Sequence, residues 1–365
     1  MISDTYSRDA FCCNQLSRRR AIQMAVSGAA ALYASLSVKS QAAESSPETS
    51  TLPKPTMHNY DNYGWLRGFN VVPSWAARIE QAWLLYNPQH FRDEIGLAQQ
   101  VHANCIRLWI EFSAWMSDPD LVTGNFMDAV AALDEAGMKT MPCLFNRWHN
   151  PIWDYGGTYL EAIPKLDSQQ KYLEAIVRPL VKDERILVWD LCNEPKATNS
   201  NHSDFHWLKA VAQMVREIGV CQPITIGTIR RNECMVTYAP LMDVLCGHPY
   251  ARTRSQLIEQ IKYLKSYQQE RKKPLLVNEC IPGCLDDLKR AKLARDSIEL
   301  LSKAGFGWMG WSLKEGKAIS TRRDIHDTNG IDGQGFHAWF NADDSLRKGL
   351  EFLKEPPELQ PPWKS

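Results

Sequence analysis

Two glutamates each follow an asparagine at the end of an apolar run: Glu194 in WDLCNEPKA (189–197) and Glu279 in LLVNEC (275–280). A pair of carboxyl groups facing each other across a cleft can split a glycosidic bond. One protonates the departing oxygen, and the other attacks the sugar carbon or activates a water. A gap of about 5 Å between them suits direct attack with retention of configuration, and a wider gap that admits water suits inversion. Pro195 excludes the right-handed helical region for Glu194, so extended backbone is expected there. A glutamate at a strand end is also an ordinary surface residue, so the pair carries weight only if the fold brings the two together.

The elements that would position them recur along the chain. Eight short apolar runs, at 66–72, 104–112, 138–145, 186–192, 223–228, 243–246, 274–278 and 306–312, alternate with longer stretches of helical spacing. The helix candidates are 89–102, 126–136, 168–182, 204–218, 255–271 and 286–303. Gly137, Gly219 and Gly305 stand where helices should stop. Eight strand and helix units in a row imply an α/β fold of the closed (β/α)8 TIM-barrel type, because parallel strands need crossovers and covered faces. In such a barrel, chemistry sits at the carboxyl ends of the strands, and Glu194 and Glu279 end the fourth and seventh runs. An open doubly wound sheet is the rival architecture, expected to carry a nucleotide fingerprint after its first strand. The one G-x-G-x-x-G, Gly305 to Gly310, follows a helix and lies within a strand with bulky neighbours, so it is no phosphate cradle. Phosphate loop, G-x-S-x-G and H-E-x-x-H motifs are absent.

Composition narrows the partners. Lys plus Arg and Asp plus Glu both number 42, so no whole-chain field draws in nucleic acid or an anionic membrane. The amino-terminal region reads separately: Arg18-Arg19-Arg20, an apolar run over 21–38, then small residues near 40–42, in the order of an export signal of twin-arginine type. The expected division is a signal at 1–42, a flexible leader at 43–64, a catalytic barrel at 65–355 and a tail at 356–365. Export to the periplasm or exterior follows, without stable membrane insertion afterwards. Of ten cysteines, Cys12 and Cys13 fall in the signal; Cys105, Cys143, Cys192 and Cys246 sit in strand-like runs as small hydrophobes, and Cys280 and Cys284 are close enough to bridge.

Asn193-Glu194-Pro195 ending the fourth strand and a Glu ending the seventh resemble the retaining glycoside hydrolases of clan A, especially the family 5 cellulase and mannanase group. The resemblance runs from Trp65 to about Leu353. It implies Glu194 as acid/base, Glu279 as nucleophile and Asn193 bonding the 2-hydroxyl of the reacting sugar. It further implies that Arg107 in NCIRLWIEF, with His248 and Tyr250 in GHPY, supports the nucleophile, and that Trp311 is the sugar platform, with a cis bond to Ser312. Physical chemistry agrees with these roles. A cation and a tyrosine hydroxyl favour an ionised nucleophile, and a buried acid beside that charge keeps its proton.

Plainer roles compete. Arg107 has a second candidate partner in Glu111, while His248 and Trp311 could be core residues. Trp148, His149 and Asn150 fall where related enzymes contact substrate, and Trp115, Trp153 and Tyr155 suit either outer platforms or loop anchors. Glu315 suits a sugar hydroxyl or a solvated charge. The expected substrate is a β-linked gluco- or manno-configured carbohydrate chain, with no metal or organic cofactor. Transglycosylation and a non-catalytic carbohydrate-binding barrel are the alternatives, and the oligomeric state is left open.

Overall fold

A computed structural model of the chain describes residues 54–146, 166–229, 232–326 and 335–364. All eight apolar runs contain a strand: β1 (Arg67–Val71), β2 (Cys105–Trp109), β3 (Lys139–Cys143), β4 (Trp189–Asn193), β5 (Ile224–Gly227), β6 (Leu245–Cys246), β7 (Leu275–Leu276) and β8 (Trp308–Gly310). Every pairing between them is parallel. Six strands run in the order β5-β4-β3-β2-β1-β8, and β6 pairs with β7. Single bridges at Thr228 with Gly247 and at Cys280 with Gly310 join the two groups, which closes the ring as a (β/α)8 barrel.

Nine helices lie among the described residues: α1 (Ile79–Leu84), α2 (Pro88–Gln100), α3 (Phe112–Ser117), α4 (Pro119–Glu135), α5 (Leu166–Val177), α6 (Ser203–Ile218), α7 (Asn232–Tyr238), α8 (Arg254–Arg271) and α9 (Asp287–Lys303). Helix α4 starts well before the expected residue 126. Asp118 caps it by accepting from Leu121 N–H, and Pro119 occupies the first turn, where a missing N–H costs nothing. Gly219 ends α6 at φ 101°, a left-handed conformation that glycine adopts without steric cost.

Two apolar layers result. The larger lies between the strands and the helices around them. The smaller fills the lower barrel with Leu66, Cys105, Met141, Val188, Val244, Leu276 and Met309 and is capped by Tyr63 and Trp65. The ordered domain begins before Trp65, contrary to a leader that stays free up to residue 64. Thr56 and Met57 donate their N–H groups to Cys221 O, and Tyr63 is fully buried. Trp363, in the expected tail, meets the Trp65 ring edge-on at 5.0 Å. The reason is apolar area: an open barrel floor would leave that lower layer wet, and aromatic side chains from both ends of the domain cover it. All eight described cysteines are free thiols, Cys280 and Cys284 included. Among the described residues no helix is long and apolar enough to cross a membrane.

Candidate active site

Strand β4 delivers Asn193 and Glu194 to the upper rim while keeping both backbones paired. Asn193 N–H donates to Phe145 O at 2.8 Å and Glu194 N–H donates to Gly227 O at 2.7 Å. Glu194 then turns with φ 48°. It avoids the right-handed helical region, as Pro195 requires, but through a left-handed turn instead of the expected extended backbone. Such a conformation costs a non-glycine residue about 1–3 kcal/mol, and neighbours on both sides hold it here. Its Oε1 lies 2.8 Å from His248 Nδ1. Across the ring, Glu279 follows Asn278. Its Oε2 accepts from Arg107 Nη1 at 3.0 Å and its Oε1 from the Tyr250 hydroxyl at 2.7 Å. One oxygen of Glu194, one of Glu279 and a ring nitrogen of His248 all lie within 4.8 Å of one another. Residues far apart in sequence thus meet at a single point over the barrel.

Arg107 organises the layer beneath and is fully buried. Glu111, its alternative partner, is engaged elsewhere: it caps α3 by accepting from Ser113 N–H at 3.1 Å. The counter-ion is Asp190 on β4, whose Oδ2 accepts from Arg107 Nε at 2.9 Å and Nη2 at 2.7 Å. Arg107 also donates to Asn70 Oδ1 at 2.7 Å and Asn193 Oδ1 at 2.9 Å. Asn278 closes the network. Its Nδ2 donates to Asp190 Oδ2 at 2.9 Å and its Oδ1 faces His248 Nε2 at 2.8 Å. A buried charge is tolerable only when paired and hydrogen-bonded, and every member of this cluster is.

The electrostatics of the cluster follow from burial and these partners. Burial pushes the Glu279 carboxyl above the usual range. The Glu194 charge adds to that, while His248, Arg107 and the Tyr250 hydroxyl pull it down. The two expected donors are therefore present, yet desolvation outweighs them. For His248, burial disfavours the cation, but the charge of Glu279 and bonds to Cys246 and Glu194 overcome it and raise the imidazole well above its ordinary value. Burial and the neighbouring carboxylates hold the Tyr250 phenol protonated as a donor. The spacing of Glu194, His248 and Glu279 would also suit a metal ion, but both nitrogens of His248 already face protein partners.

Trp311 stands beside the cluster, and its peptide bond to Ser312 is cis. Its ring lies 4.6 Å from that of Trp109, and its Nε1 donates to Ser320 Oγ at 3.0 Å, so it is largely covered. Trp115 is buried and packs α3 against α4 and α5: its Nε1 donates to Thr123 Oγ1, and its ring packs on Phe112 and Tyr172. Glu315 pairs with Arg323 at 2.9 Å. Trp148, His149, Asn150, Trp153 and Tyr155 lie outside the described residues. Sequence reasoning passes over Asp190, Asn278, Asn70 and Asn146, the last of which accepts from Asn193 Nδ2 at 3.3 Å. Strand parity was the available signal for two of them: Asp190 and Asn278 each sit two residues above an inward-facing apolar residue, as Arg107 does above Cys105.

Residues 66–317 match the family described as Cellulase (glycosyl hydrolase family 5). Among curated protein sequences there is no significant match. Solved structures share the architecture. An exo-β-1,4-mannosidase from Opitutaceae bacterium strain TAV5 aligns at 16% identity over 79% of this chain and 58% of its own, with a TM-score of 0.62. A GH5_18 protein from Streptomyces cattleya, solved with GlcNAc, aligns at 12% identity over 81% and 83% with a TM-score of 0.61. An endo-β-1,4-mannanase from Thermotoga petrophila aligns at 16% over 82% and 77% with a TM-score of 0.57. The chain thus spans just over half the length of the mannosidase, and at these identities the likeness speaks to the fold.

Proposed function

The chain belongs to glycosyl hydrolase family 5 and is a clan A glycoside hydrolase, and from that premise we propose that it cleaves β-linked gluco- or manno-configured chains by double displacement on Glu194 and Glu279. The observation that carries the residue roles is the short gap: oxygens of the two carboxyl groups fall within 4.8 Å. Retaining enzymes hold their carboxyl groups about 5–5.5 Å apart, whereas inverting ones need roughly 6.5–9.5 Å to seat a water.

In the first step Glu279 attacks the anomeric carbon while Glu194 gives its proton to the leaving oxygen, so the C–O bond to the aglycone breaks as the glycosyl ester forms. In the second, Glu194 takes a proton from water, the water oxygen bonds to the anomeric carbon, and Glu279 leaves as carboxylate. Arg107 and Tyr250 each hold one oxygen of Glu279, which orients the nucleophile. Asn193 spends one amide hydrogen on Asn146 and its oxygen on Arg107, which leaves a second hydrogen for the 2-hydroxyl of the sugar. Trp311 supplies the apolar face beneath it.

The test is a screen of mannan, cellulose, xylan and aryl glycosides with wild type beside Glu279→Gln. The variant should lose all turnover, and a 2-fluoro glycoside should label Glu279 in wild type. Undiminished activity in Glu279→Gln removes the mechanism. Export through the Arg18-Arg19 leader belongs to the same proposal. Replacing both arginines by lysine should retain the protein in the cytoplasm.

A further inference from the structure

Below the two carboxyl groups runs a continuous chain of hydrogen bonds that links one to the other. It passes from Glu194 to His248, from His248 to Asn278, from Asn278 to Asp190, from Asp190 to Arg107 and from Arg107 to Glu279. The members come from β2 and β4 and from the residues just after β4, β6 and β7, and are all buried. The two Arg107 links are one-way because a guanidinium only donates, and the link from Asn278 to Asp190 is one-way too and decides the rest. A carboxylate can only accept, so Asp190 Oδ2 at 2.9 Å fixes Asn278 with its NH2 toward Asp190. Flipping the amide would set its oxygen against the carboxylate. The Asn278 oxygen is thereby forced toward His248 Nε2 at 2.8 Å and toward the Cys246 thiol at 2.9 Å. An amide oxygen cannot donate, so His248 Nε2 must carry hydrogen.

The remaining nitrogen, Nδ1, then faces Glu194 Oε1 at 2.8 Å. Gly227 makes room for this arrangement, since a Cβ there would stand 2.8 Å from His248 Nε2, 3.0 Å from Arg107 Nη2 and 3.2 Å from Asp190 Oδ2.

We propose that Asp190 and Asn278 are positioning residues that lock His248 as an Nε2–H donor, committing its Nδ1 edge to Glu194 and so placing the acid/base oxygen for proton transfer. The inference rests on the assignment of Glu194 as acid/base. Its logic is that of an orienting group behind an active-site histidine, which fixes the ring's orientation and the edge it presents. The groups facing His248 are Glu194 from β4, Glu279 and Asn278 after β7, and Cys246 on its own strand, with Arg107 and Asp190 behind. Burial opposes the imidazolium, but the Glu279 charge and the bonds to Cys246 and Glu194 outweigh it and raise its pKa, consistent with a ring hydrogen-bonded on both edges.

Two measurements test the proposal on the full chain. In wild type, long-range proton–nitrogen spectra of His248 should show Nε2 protonated across the active pH range. An unprotonated Nε2 overturns the proposal, and this readout does not depend on any variant folding. In Asn278→Ala, kcat/KM should fall by about 10²-fold for glycosides with poor leaving groups, which need a proton, and by less than about threefold for the 2,4-dinitrophenyl glycoside, which does not. Equal losses on both substrates, or no loss on either, would sink the idea. Failure of the functional assignment looks different: wild type would then hydrolyse neither substrate.

Discussion

Within this one barrel, two layers two residues apart along the same strands obey different rules. Cys105, Val188 and Leu276 lie in the apolar floor. The next inward-facing residue on each strand, respectively Arg107, Asp190 and Asn278, belongs to the polar circuit. The floor is held by burial of area, which has no direction and contributes about 25 cal/mol per Å². The circuit is held by directed bonds in a low-dielectric interior, where satisfied groups reinforce one another and a single orphan is costly. Stability and chemistry are therefore stacked, not mixed. A change of shape should be absorbed below and a change of donor or acceptor should not be absorbed above.

The sharpest way to break that contrast is Asp190→Ala. It strips the main counter-ion from fully buried Arg107. Removing one partner of a buried pair costs about 3–5 kcal/mol, so chemical denaturation should show a loss of that order together with loss of turnover. Gly227→Ala adds one methyl group between three members of the circuit. Displacement on the scale of 1 Å near the chemistry can cost about 10²-fold, and kcat/KM should fall by that order while most of the stability survives. In the floor, the volume-matched Leu276→Met should cost under about 1.5 kcal/mol, with kcat per folded molecule unchanged. Two residues on, the near-isosteric Asn278→Asp sets a carboxylate against Asp190 and should lose most of its activity. If Leu276→Met reduced kcat as much as Asn278→Asp, the two layers would not be separate.

The same contrast explains what sequence could and could not reveal. Glu194 and Glu279 stand out because they close apolar runs at strand ends, where a barrel places its chemistry, while Arg107, His248, Tyr250 and Trp311 are singled out by the resemblance to clan A. Asp190 and Asn278 are hidden by the apolar runs that contain them, and only after the inward parity is known does a carboxylate at 190 read as the partner of Arg107. The rival, Glu111, shares that parity, yet the strand ends at Trp109 and α3 begins, so its carboxylate turns to cap a helix. Helices α1, α3 and α7 span 6, 6 and 7 residues, too short for an apolar period to declare itself. The fastening of 54–64 depends on packing under a floor that exists only once the barrel has closed.

The smallest expected effect tests the upper layer through its titration. Glu279 must be ionised to attack, so activity falls as pH drops through its pKa. Burial raises that pKa first, with the Glu194 charge in the same direction, and the Tyr250 hydroxyl is one of the groups that lowers it. Tyr250→Phe removes a donor that favours the charged form. The carboxyl should then hold its proton to a higher pH, and the acid limb of kcat/KM should move upward, never downward. Arg107 still holds Oε2, so orientation is only partly lost and the plateau at higher pH should persist. Leu276→Met, whose methionine stays in the apolar floor, should leave the limb where it is. A profile in which Tyr250→Phe lowers the plateau without moving the limb would mean that the titrating group is not Glu279, and that the polar layer governs placement alone.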